Sequence, residues 1–151
     1  MPAQLSLTPY LVVNDAAAAI DFYKAAFAAE ELSRHKAPHS DRIMHAHLIV
    51  NGGAFMLSDD FSAQMSGKSE TPLALGGSPI TLALEVENAQ AVWDSALAAG
   101  ATVTMPLADQ FWGQRYGQLK DPFGHKWSVS QNIATPSEEE MAKAAAETFA
   151  G

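Results

Sequence analysis

The 151-residue chain contains no cysteine. That absence removes disulfides, thiolate zinc sites, iron–sulfur clusters and cysteine nucleophiles together. Five His and the carboxylates remain for metal or acid–base chemistry. Cations are also scarce: 9 Lys+Arg stand against 17 Asp+Glu, for a formal charge of -8. Residues 135–151 hold four Glu and one Lys and so supply -3, leaving -5 on the body. Phosphate binding needs a cationic surface in quantity, so nucleic acid is not expected as a partner. No apolar run approaches the roughly 18 residues of a membrane span, so no membrane partner is expected either. The opening Met1-Pro2-Ala3-Gln4 lacks the basic start and apolar stretch of a signal peptide, and the expectation is a cytoplasmic chain. Also missing are a G-x-x-x-x-G-K-[ST] phosphate loop, a G-x-G-x-x-G after a strand, a G-x-S-x-G elbow and an H-E-x-x-H.

What is present is a repeat. Sliding residues 11–27 by 73 positions onto 84–100 matches Leu11/Leu84, Val13/Val86, Ala16/Ala89, Ala18/Ala91, Asp21/Asp94, Ala25/Ala98 and Ala26/Ala99. Both copies run from an alternating apolar strand through an Asp or Asn cap into an amphipathic helix, the mark of an internal duplication. In the first copy residues 7–13 read as a strand, and Asn14 or Asp15 caps a helix to about Ala28 with Ile20, Tyr23 and Phe27 on one face. A short polar strand follows near residues 31–36. Residues 42–50 and 54–58 then form a hairpin about Asn51-Gly52, the dipeptide of a tight type I′ turn.

In the second copy residues 80–86 are a strand, Asn88 caps a helix to Ala99, and Gly100 stops it. Strands over 102–107, 116–120 and 125–131 follow, the last two joined by the turn Asp121-Pro122-Phe123-Gly124. The expected fold class is α+β, with two βαβββ modules at 5–59 and 79–132 in one domain. Between them, residues 60–78 are rich in Gly, Ser and Pro and read as a linker loop, either a lid or a tether. At the end, Thr135-Pro136-Ser137-Glu138 places a cap, a first-turn Pro and a capping-box Glu before a helix over 135–150.

Strand alternation separates the two faces of each sheet. Leu11 and Val13 lie toward the helix, leaving Thr8, Tyr10 and Val12 on the other face. Pairing Val50 with Gly53 puts Leu48 opposite Phe55 and Ala46 opposite Leu57, so His45 lies beside Ser58 and His47 beside Met56 on the far face. Thr81, Ala83 and Glu85, and likewise Lys126, Ser128 and Ser130, face away from the helices, while Trp127 and Val129 pack inward. This second face is mixed polar and apolar, which suits a ligand cleft. His45 and His47 lie two apart on one strand, a spacing found in metal sites that Glu85 could complete; the alternative is a pair that lines a pocket or makes hydrogen bonds. His35, His39 and His125 lie near loops or turns and read as solvated surface.

The two copies, the opening LTPYLVVND and AIDFYKAAF, the hairpin HAHLIVNG and FMLSDD, and the ending FWGQRYGQLKDPFGHKWSV together resemble the vicinal-oxygen-chelate superfamily. Glyoxalase I, the bleomycin-resistance proteins, fosfomycin-modifying enzymes and extradiol dioxygenases belong to it, and the PhnB-like branch is the most similar. The resemblance spans residues 5–132 and departs at Ala28, where relatives carry a helix-terminating Gly. Metal-dependent members draw four His, Gln or Glu ligands from the first, fourth, fifth and eighth strands. Those positions here are Thr8, Met56, Thr81 and Ser128, so the resemblance implies a site without its usual metal and no cofactor is expected.

It also implies a homodimer, in which one chain's first module meets the other's second and two clefts form at the interface. In the segment Phe111-Trp112-Gly113-Gln114-Arg115-Tyr116, an indole and a guanidinium can clamp a flat or anionic ligand. Alternatively Trp112 and Tyr116 plug the sheet end while Arg115 pairs with a carboxylate such as Asp121. The resulting expectation is a small-molecule-binding protein with ligand contacts at Tyr10, Met56, Ser58, Glu85, Trp112 and Ser128. If it is instead a lyase or isomerase, His45 or His47 acts as base and Arg115 steadies a developing oxyanion.

Overall fold

The structure is a computed structural model that describes residues 6–150. Residues 1–5, which carry the expected start of the first module and the reading of the leader, lie outside the described residues. The first sheet contains β1 (Tyr10–Val13), β2 (Glu30–Lys36), β3 (Ile43–Val50) and β4 (Gly53–Asp59), in the order β1-β4-β3-β2. The second contains β5 (Thr81–Glu85), β6 (Thr102–Asp109), β7 (Gln114–Lys120) and β8 (Lys126–Asn132), in the equivalent order β5-β8-β7-β6. In each sheet the first strand pairs parallel with the last and the other pairings are antiparallel. The chain is an α+β protein built on a doubled motif.

The helices α1 (Ala16–Phe27) and α4 (Ala89–Ala99) begin at Asp15 and Asn88, whose side chains accept from Ala18 N–H and Ala91 N–H at 3.1 Å each. A second device repeats with the duplication. Asp59 Oδ1 accepts from the Ala16 N–H at 2.8 Å, and Gln131 Oε1 accepts from the Ala89 N–H at 2.9 Å. Each helix start is thus fastened to the last strand of its own sheet, which satisfies a donor that the helix leaves orphaned. At its end α1 stops on Ala28 at φ 56, the left-handed region where glycine is usual.

The two halves clamp each other reciprocally. Asn51 Nδ2 donates to the Glu85 carbonyl at 3.0 Å, and His125 Nε2 lies 3.0 Å from the Val12 carbonyl. Val12 and Glu85 differ by 73 positions, the repeat offset, so the same carbonyl is held in each copy by the other copy's hairpin turn. His125 is therefore a seam contact rather than solvated surface. Asn51 and Gly52 both have positive φ, 51 and 76, as a type I′ turn requires.

Behind the sheets α1 packs against α4, and the core runs across both halves. Tyr23, Phe27, Phe55 and Trp127 form one aromatic cluster, with Trp127 4.7 Å from Phe27 and 5.3 Å from Tyr23 between ring centroids. Buried Asp121 ties it together, accepting from the Tyr23 hydroxyl at 2.6 Å, Trp127 Nε1 at 2.9 Å and the Phe123 and His125 N–H groups at 2.9 and 3.0 Å. Burial and the adjacent Asp121 charge push the Tyr23 phenol well above its ordinary value. Gly117 is required in β7, because a Cβ there would meet the Trp93 ring at 2.6 Å.

Several element bounds differ from expectation. The first strand begins at Tyr10, since Pro9 offers no N–H and its carbonyl accepts from Met56 at 2.9 Å. The linker is not a plain loop: it holds α2 (Ser62–Ser66) and α3 (Pro72–Leu75). Thr71 caps α3 with Pro72 in the first turn, and Arg42 lies 4.2 Å over the Phe61 ring while donating to the Asp60 carbonyl. The C-terminal helix α5 (Glu138–Phe149) starts two residues later than expected from Thr135. Ser137 is the cap, and Glu140 closes the capping box.

Candidate functional site

The face of the first sheet away from α1 carries a cross-strand row in register. Tyr10 pairs with Met56, Met56 with His47, and His47 with Ser33. His45 pairs with His35 on the neighbouring strand, and their rings lie parallel within 27° at 6.2 Å. The Tyr10 hydroxyl donates to the Met44 carbonyl at 3.3 Å and lies 3.4 Å from His45 Nδ1, its ring 5.7 Å from the imidazole. Tyr10, His45, His47 and Met56, expected at the site, therefore share one patch. His47 Nε2 is buried and has no hydrogen-bond partner among the described residues. Ser58 is less available, because it is buried and its hydroxyl turns back to the Asp59 carbonyl at 2.9 Å.

On the second sheet a one-directional relay crosses three strands. Trp112 Nε1 donates to Gln114 Oε1 at 2.8 Å, Gln114 Nε2 to Asn132 Oδ1 at 3.0 Å, and Asn132 Nδ2 to Glu85 Oε1 at 2.6 Å. An indole can only donate and a carboxylate can only accept, so the two ends fix the orientation of both amides between them. Tyr116 packs edge-on to Trp112 at 5.7 Å and pairs with Ser130 in register. Glu85 and Trp112, two of the residues expected at the site, are thus linked across the sheet. Ser128 is only 3% exposed, enclosed between Ala83 and Gln118 in register, and presents no free hydroxyl surface.

Arg115 does not join Trp112. It alternates with Gln114 and Tyr116 along β7 and shares the face of Gly117 and buried Leu119, pointing away from the relay. Its guanidinium pairs with Asp109, its register mate, at 2.7 Å. That contact holds the Asp109 carboxyl below its usual range and Arg115 above its own. The Trp112–Arg115 clamp is therefore absent, and Asp121, the carboxylate expected beside Arg115, is occupied in the core.

A cavity of about 860 Å³ opens between Glu85, Glu87, Asn88, Gln131 and Asn132, and another of about 510 Å³ between Phe55, Leu82, Leu84 and Trp127. Neither is lined by His45, His47, Met56 or Ser128, which lie on strands, or by Trp112 in the turn between β6 and β7.

The sequence profile of the Glyoxalase/Bleomycin resistance protein/Dioxygenase superfamily matches residues 5–129. The chain belongs to this superfamily. The Mycobacterium tuberculosis protein Rv0887c is 48% identical over 136 residues, which cover 90% of this chain and 79% of that one. The solved structure of TioX from Micromonospora sp. ML1 is similar at 26% identity with a TM-score of 0.65, covering 86% of this chain and 100% of that one. The PhnB protein from Bacillus cereus shares the fold at 21% identity and a TM-score of 0.63, covering 84% of this chain and 99% of that one.

Superfamily membership does not by itself single out the residues that complete these patches, and sequence reasoning missed several. Gln114 and Asn132 were legible in principle, since extending the Asp121–Gly124 hairpin register from Lys120/Lys126 pairs them directly. His35 could have been found by carrying the His45 strand onto its neighbour, but the register of β2 shifts between Glu31 and Ser33 and again between His35 and Lys36. Nothing local announces such a bulge.

Proposed function

We propose that this chain is a cytoplasmic homodimer that binds a small organic molecule on its cleft faces without the superfamily's metal. The observation that carries the reading is the donor set at the positions the resemblance assigns to metal. Met56 sits in the first-sheet row between Tyr10 and His47, Thr81 and Ser128 lie on the second sheet, and Thr8 precedes β1. A thioether and three neutral hydroxyls do not suit zinc, magnesium or manganese in an oxygen/nitrogen site. In place of charged ligands the first face offers flat rings, Tyr10, His35 and His45, and the second offers the Trp112 indole with a fixed amide relay. Rings supply stacking area and the amides supply oriented hydrogen bonds, the mixture that small-molecule sites use. The prevailing negative charge argues against nucleic acid as the alternative partner.

A two-dimensional NMR screen with small aromatic compounds in the presence of EDTA tests this. Binding should move the Trp112 indole N–H and the His45 and His47 ring signals together. Shifts confined to residues outside both faces contradict it.

One observation favours a second reading, a glyoxalase-like lyase or isomerase. His47 Nε2 has no hydrogen-bond partner among the described residues and so is uncommitted, although it is enclosed and would act as a base only after a local opening. Turnover of a glutathione hemithioacetal that is lost in His47→Ala would establish it.

A further inference from the structure

We propose that the seam between the two modules of one chain holds a second binding site, for a flat, uncharged heterocycle that carries an N–H donor and an acceptor side by side. Its polar edge is a stretch of β4 that Pro9 leaves unpaired. In the second module β5 begins at Thr81, paired with Lys126, and Leu82 follows. The repeat offset sets Pro9 in the place of Leu82, and Pro9 has no N–H to give, so β1 begins only at Tyr10, paired with Met56. Gly53, Ala54 and Phe55 are therefore paired with β3 alone. Met56 N–H donates toward β1, to the Pro9 carbonyl, so by the alternation of the ladder the Ala54 N–H and C=O point to that side as well. No described residue bonds to either.

That edge borders the cavity of about 510 Å³ between β4 and β5. Phe55, Leu84 and Trp127 are buried in its wall and Leu82 is half-buried, so the wall is ring and aliphatic surface. Trp127 Nε1 is committed to Asp121, which leaves the indole only its ring to offer. No lysine, arginine or histidine lines the cavity, so an anion finds no partner, and Glu85, its one carboxylate, already accepts from Asn132. A purely apolar molecule here would cut the Ala54 donor and acceptor off from water and leave both unpaired. A ring that answers both with two adjacent atoms keeps its apolar burial without that penalty.

The slot is too short for a peptide strand. Bounded by the Asn51–Glu85 bond at one end and by Pro9 at the other, it runs only from Gly53 to Phe55, about 10 Å at the usual strand rise. Nor does the chain fill it: Leu7, which a longer β1 would carry in beside Gly53, is 99% exposed. His45, His47 and Trp112 do not line this cavity, so the site is separate from the ligand reading above and does not depend on it.

NMR titration of the full chain with carbostyril, a benzene ring fused to a lactam, tests the proposal. N-methylcarbostyril, which lacks the donor, and naphthalene, which lacks both polar groups, serve as comparisons. Carbostyril should move the Ala54 amide proton downfield together with the Leu82 and Leu84 methyl signals, and the two comparison compounds should bind about threefold or more weakly. Pro9→Ala restores the missing N–H and lets β1 run back to Thr8 along β4. Hydrogen exchange at Ala54 should then slow, and carbostyril affinity should fall about tenfold or more as the slot fills. Leu82→Trp narrows the cavity by bulk alone and should weaken binding as much, with the dispersion of the amide spectrum checking that the fold persists. Shifts at Trp112, His45 and His47 that spare Ala54 would place the probe on the sheet faces and overturn this site while leaving the earlier reading intact. Equal affinity for the three compounds, or undiminished binding in either variant, would overturn it too.

Discussion

Asp121 accepts four hydrogen bonds while only 3% exposed, two of them from side chains on α1 and β8. Asp121→Ala leaves the Tyr23 hydroxyl, the Trp127 indole and two backbone donors unpaired in the core, and should cost about 3 kcal/mol or more, read from urea unfolding. The raised Tyr23 phenol has its own signature. The unfolded chain loses this proton near pH 10 while the folded chain keeps it. The contribution is therefore fully present below about pH 10 and declines above it, and Tyr23→Phe should flatten that alkaline decline in thermal melts. Ala28→Gly points the other way: relieving an alanine at φ 56 should stabilise by about 0.5–1 kcal/mol, seen as a higher urea midpoint at unchanged slope. Of these residues Ala28 was legible in the sequence, because a helix stop without glycine is visible by resemblance. Asp121 was read as a turn residue and as a possible partner of Arg115, since its actual partners lie up to 98 positions away and no local pattern encodes them.

At the scale of elements, the strands and both main helices followed from period and caps because their signals are local. The Asn51-Gly52 turn fixed the register of β3 and β4, which in turn placed His47 beside Met56. The linker was illegible for the opposite reason. Part of the order in residues 60–78 comes from Arg42, which precedes β3 and holds Asp60 and Phe61 from outside the segment. Arg42→Ala should free that end of the linker, and trypsin should then cut after Lys68 faster while the sheets remain protected; an unchanged cleavage rate would deny Arg42 this role. Arg115 lies apart from the other expected site residues through the same alternation that placed those correctly on their face. Counted along β7, its face is that of Gly117 and Leu119, and a clamp with Trp112 overlooks that count.

For the whole molecule, the fold class was legible because the sequence states it twice, and the 73-position offset recurs in the backbone groups that are held, Ala16/Ala89 at the helix starts and Val12/Glu85 in the reciprocal carbonyl clamps. The arrangement of the candidate site was legible only in part. Tyr10, His45, His47 and Met56 share a patch, and Glu85 and Trp112 share a relay, but Ser58 and Ser128 are buried and Arg115 turns away. The central claim is that the cleft works without the superfamily's metal. Thermal melting with and without nickel, zinc, manganese and magnesium tests it most directly. The account predicts an unchanged melting temperature with each ion. A rise that disappears in the His45→Ala/His47→Ala double variant would contradict it.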